Sequence, residues 1–163
     1  SAPAGAGEWY FHTVGLGALP GGTIVEQSVT LSDFSSSGNI DAGNVTFDFS
    51  AQIAGYQVGG DTAILELVFL DAASSQVGST VTLDGTTGGA DGITNTFDLF
   101  SSAGTVPANA QTARVQILQA TAGSSNGNDN YVDLVALDIT TIPEPSIFVL
   151  GSLGLLGFFR RRR

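Results

Sequence analysis

The sequence predicts an all-β body, an antiparallel two-sheet jelly-roll sandwich, followed by a C-terminal hydrophobic helix. Three observations carry this. In "NVTFDFSAQI" (44–53), Val45, Phe47, Phe49, Ala51 and Ile53 alternate with Thr46, Asp48, Ser50 and Gln52, the period of a half-buried strand. Before residue 142 no stretch sustains a 3.6-residue apolar period with a capping signal, so no helix is expected in the body. Clusters of Gly, Ser, Asn, Asp and Pro divide the remainder into short runs, the pattern of a sandwich rather than of a fold with crossover helices.

In chain order, residues 1–7 read as the remnant of a leader or linker, because Ala4-Gly5-Ala6 fits the small-residue pattern of a signal-peptidase region. Residues 8–141 form the expected domain. After "EWYFH" come runs of strand character at 23–31, 45–53, 63–71, 77–83, 94–100, 112–120 and 131–140. Seven or eight such strands in about 135 residues suit two packed sheets, and a jelly roll is a common way to close them. The stretches 83–95 and 121–130 hold too little apolar mass to pack and are expected as surface loops. No repeat at fixed period is visible, which excludes a solenoid or propeller.

Charge narrows the function. Outside residues 142–163 the chain has 14 acids and one base, Arg114, a net charge of −13. Such a surface repels phosphate backbones and excludes nucleic-acid binding. With no Cys, no Lys and a single histidine, His12, nucleophilic catalysis lacks its parts, and His12 reads as structural. "GLGALP" (15–20) lacks the third glycine of a nucleotide loop. A glycosidase needs only two carboxylates, so a small glycan-active enzyme is the weakest of three readings. Its counter-evidence is the thin supply of stacking aromatics, Trp9 and three tyrosines. No catalytic residues are assigned.

Asp133 is the most informative acid. In "YVDLVALDI" it shares phase with Tyr131, Val135, Leu137 and Ile139. If that set faces the core, Asp133 points inward and needs hydrogen bonds, Arg114 or a cation as partner.

The last 22 residues differ from all that precedes. Pro143, Glu144 and Pro145 are followed by an uncharged run from Ser146 to Phe159 and by Arg160, Arg161, Arg162 and Arg163. As a helix the 14-residue run spans roughly 21 Å, short of the roughly 30 Å hydrocarbon core. It is a marginal span, with the arginines holding its end in the cytoplasm and the acidic body across the membrane. These three parts in this order resemble the PEP-CTERM sorting signal of exported bacterial proteins. The resemblance implies an exosortase-type processing protease as partner and a transient stay in the inner membrane. It further implies delivery to the cell surface or an extracellular matrix, often one rich in polysaccharide or biofilm.

The body, over 23–140, resembles galactose-binding-like jelly rolls in "IDAGNVTFDFSAQIAGY" (40–56), "GTVPANAQTARVQI" (104–117) and the start of the last strand. That resemblance implies a structural calcium, with Asp133 as ligand and Asp129 and Asn128 as loop neighbours. It also implies a carbohydrate-binding module, for which Trp9 and Tyr56 are the candidate stacking residues. The alternative is a structural matrix protein without a specific ligand. Exposed aromatics on one face favour the first and buried aromatics the second.

Overall fold

The computed structural model describes residues 11–13, 23–55, 63–85, 96–119 and 130–143. Eight strands run in chain order: β1 (Phe11–Thr13), β2 (Thr23–Thr30), β3 (Val45–Gly55), β4 (Ala63–Leu70), β5 (Gln76–Asp84), β6 (Asp98–Thr105), β7 (Thr112–Gln119) and β8 (Asn130–Thr141). They form two four-stranded sheets, in the orders β1-β8-β3-β6 and β2-β7-β4-β5. Every pairing is antiparallel.

The alternation in β3 is realised as expected. Val45, Phe47, Phe49, Ala51 and Ile53 are buried in the core, and Asp48 and the other residues of the opposite phase point outward. From the facing sheet Leu65, Leu67 and Phe69 of β4 and Ile117 of β7 meet them. Phe47 and Phe69 bridge the two sheets with ring centroids 5.4 Å apart in a tilted arrangement, a geometry that aromatic quadrupoles favour.

Two expectations are corrected. The fifth expected strand, 94–100, lies instead at Asp98–Thr105. Its second half, "SSAGT", has little apolar character, and the ladder to β3 holds it as an edge strand. Gly104 is placed there by packing: a Cβ would sit 2.9 Å from Cε1 and Cζ of Phe47. The body also contains one turn of α-helix, α1 (Ser37–Asp41), in the connection from β2 to β3. Ser36 caps it, its Oγ accepting from Asn39 N at 3.3 Å, and Gly43, at φ 74°, ends it. Its single apolar anchor, Ile40, is buried; five residues are too few for a periodic signal.

The strand registers define two ends of the sandwich. Pairings such as Val45↔Thr141, Thr46↔Thr105 and Thr30↔Thr112↔Leu70 gather the connections 31–44, 71–75 and 106–111 and the end of β8 at one end. Pairings such as Thr13↔Asn130↔Gly55, Asp98↔Ile53, Gln119↔Ala63 and Asp84↔Ile64 place the other strand ends at the opposite end. These opposite ends bracket 14–22, 56–62, 85–97 and 120–129.

Candidate functional site

Asp133 is the one buried carboxylate among the described residues, 8% exposed. It does not face the core. β8 carries a bulge where the ladder to β3 steps from Ser50↔Ala136 to Gln52↔Asp133, setting Leu134 and Val135 against the single residue Ala51. One extra residue inverts the inside–outside phase of a strand. Leu137 and Ile139 therefore face inward beside Phe49 and Phe47, whereas on the other side of the bulge Val132 takes the inward place beside Ile53. Asp133 and Tyr131 lie on the outer face of this sheet with Gln52 and Ala54, and Tyr131 and Ala54 are buried there as well.

The bulge explains the backbone. Leu134 has φ 48°, a left-handed conformation that leucine resists, and Asp133 Oδ1 accepts from Leu134 N at 2.7 Å. The carboxylate thus braces the residue that turns the strand over. Arg114, one of the three partners considered for Asp133, lies elsewhere. It pairs with Ser28 and Val68, out of phase with the core residues Ala113 and Ile117, on the outer face of the other sheet. Its Nε is buried there without a hydrogen-bond partner. The condition under which Asp133 would point inward is thus not met, and Arg114 belongs to the other sheet.

A calcium ion takes six to eight oxygens. The described strands supply Asp133 and the cross-strand amide of Gln52, and among the described residues no three His, Asp or Glu side chains gather. These residues do not by themselves make a calcium site. Asn128 and Asp129 lie outside the described residues, as do Trp9, Tyr56, Glu144, Pro145, the run Ser146 to Phe159 and the cluster Arg160 to Arg163. His12 is described through its backbone, which pairs with that of Tyr131. Among the described residues no helix is long and apolar enough to cross a membrane.

The end of β8 shows what the sequence reading missed. Thr141 Oγ1 donates to Ser35 Oγ at 2.9 Å, and Ile142 N donates to the carbonyl of Asn44 at 2.7 Å. Ser35, itself buried, also receives Asn39 Nδ2 at 3.4 Å. Beside this lock, Thr30, Ser32, Ser37, Gln111 and Ile40 line a hydroxyl-rich cleft of about 280 Å³. Ser36 with Asn39 three residues on and Gly43 beyond was the legible trace of the capped turn. Pro143 then emerges exposed.

Two features now define the class: an antiparallel β-sandwich, and a strand end that runs straight into Pro143. Residues 141–163 carry the PEP-CTERM protein-sorting motif, which marks an exported, surface-directed chain and implies processing by an exosortase. No curated protein matches the sequence. Among solved structures, one of infectious bursal disease virus (Gt strain) is similar at a TM-score of 0.54 and 14% identity, over 89% of this chain and 32% of that one. The enzymatically active domain of tailspike protein 4 of bacteriophage CBA120 matches at 0.48 and 15%, over 71% of this chain and 13% of that one. The C-terminal domain of EclA, described as a sugar-binding protein, matches at 0.45 and 13%, over 83% and 79%. The chain thus spans less than a third of the length of the first two. The viral match bears on the fold alone.

Proposed function

We propose that this chain is an exported surface or matrix protein whose body is a non-enzymatic, carbohydrate-binding-like jelly-roll module carried by a separable C-terminal sorting signal. The observation that carries the reading is the polarity of the sandwich. The sorting motif leaves from one end, and the strand ends that bracket 14–22, 56–62, 85–97 and 120–129 lie at the other. A module tethered at one end is free to meet a ligand at the opposite one.

The winding supports the jelly-roll part of the reading. Successive strands change sheet at every connection except β4 to β5, as two interleaved Greek keys require. The acidic body, at −13, suits neutral or cation-bridged polysaccharide better than a polyanion. In this reading Ser146 to Phe159 forms the short membrane helix before processing.

One observation favours the second reading, a structural matrix protein without a specific ligand: Tyr131 is buried and offers no free ring face for a sugar. A glycan array probed with the full chain in a lipid nanodisc separates the two. Selective, saturable binding to one glycan class is expected of the module, and uniform silence at high protein concentration refutes it in favour of the matrix role.

A further inference from the structure

The fold grips the first two residues of the sorting motif, Thr141 and Ile142. Thr141 pairs with Val45, its hydroxyl is bonded to Ser35, and Ile142 N is bonded to the carbonyl of Asn44. Only Pro143, Glu144 and Pro145 then separate Ile142 from the apolar run that begins at Ser146. Four Cα steps reach at most about 14 Å. The polar zone on each side of a bilayer is itself roughly 5–8 Å deep. With the arginine end held at the cytoplasmic face, the roughly 21 Å run falls about 9 Å short of the far side of the roughly 30 Å core. The link therefore has about 14–17 Å to cross, and a reach of at most about 14 Å cannot hold the sandwich clear of the lipid.

The end so held has a matching surface. Phe34 is 51% exposed and Ile142 47% exposed, and the Ser35–Thr141 bond sets these two residues on neighbouring segments. The hydroxyl-rich cleft opens at the same end. Asp33, Asp41 and Asp71 lie in its connections, where no Lys or Arg occurs. Zwitterionic headgroups, whose charges sum to zero, suit this surface, and anionic ones do not.

We propose that while the sorting signal is in the membrane this end of the sandwich lies against a zwitterionic lipid headgroup layer, with Phe34 and Ile142 as its contacts. The opposite end is thereby turned away from the membrane. The proposal rests on the reading that Ser146 to Phe159 inserts, and the test keeps the two apart. The chain has no cysteine, so single fluorescent labels can be placed by Ser152→Cys in the apolar run, Ser37→Cys at the gripped end and Leu99→Cys near the far end. Ser37 and Leu99 are separated by about the length of β6, eight residues or roughly 26 Å.

The full chain is reconstituted in phosphatidylcholine vesicles carrying nitroxide at either the acyl chain or the headgroup. Acyl-chain nitroxide is expected to quench the Ser152 label. Headgroup nitroxide is expected to quench the Ser37 label several-fold more than the Leu99 label, and Phe34→Ser should reduce that difference while leaving the Ser152 signal unchanged. A quenched Ser152 label with equal quenching at Ser37 and Leu99 overturns the proposal but leaves insertion standing. An unquenched Ser152 label overturns insertion itself, and the proposal with it.

Discussion

Leu134 holds a backbone angle that costs an L-residue about 1–2 kcal/mol, and the residue is 63% exposed, so little burial offsets that cost. Leu134→Gly should therefore leave the melting temperature unchanged or raise it, by up to about 1 kcal/mol in stability. Leu134→Val, which stiffens χ1 at the same positive φ, should lower stability by about 1–2 kcal/mol. Thermal melts of the two variants check the pair. Asp133→Ala removes the acceptor for Leu134 N and should cost about 1–3 kcal/mol. If bracing this bulge is what Asp133 does, the native protein melts at the same temperature in calcium and in chelator. A calcium-dependent rise that Asp133→Ala abolishes would assign the carboxylate to a cation instead.

At the scale of elements, what was legible depended on whether the determinant was local. β3 was legible because its face pattern is written in its own residues, from Val45 to Ile53. The face of Asp133 was not, since the bulge leaves no mark in "DLVAL": Leu134 and Val135 are both apolar, and two opposite phases fit the run equally well. An acid amid apolar residues did signal burial, and Asp133 is buried, though on the outer face. β6 was displaced by several residues because an edge strand takes its conformation from its neighbour's ladder rather than from β-branched residues of its own. Gly104 tests that account. Gly104→Ala pushes a methyl into the Phe47 ring and should cost about 1–3 kcal/mol by overpacking. Ser101→Ala, at an exposed site of the same strand, should be near neutral. A destabilisation equal in both would place the cost in the strand backbone and not at the Phe47 contact.

For the molecule as a whole, the sorting signal and the body are joined at a fixed point and do separate work. Residues 141–163 carry the address, and the grip on Thr141 and Ile142 keeps β8 closed against β3 and the 31–44 connection beneath it. Loss of the tail beyond that grip leaves the core untouched, because Val45, Phe47 and Phe49 keep their partners Thr141, Ile139 and Leu137. A cut within β8 would open the core instead. The most direct test is the intact mass of the protein recovered from the surface or medium of a Gram-negative host that makes an exosortase. The expected species retains the chain through Thr141 and lacks Arg160 to Arg163. A chain still ending in Arg163 and confined to the cytoplasm or the inner membrane would contradict the account.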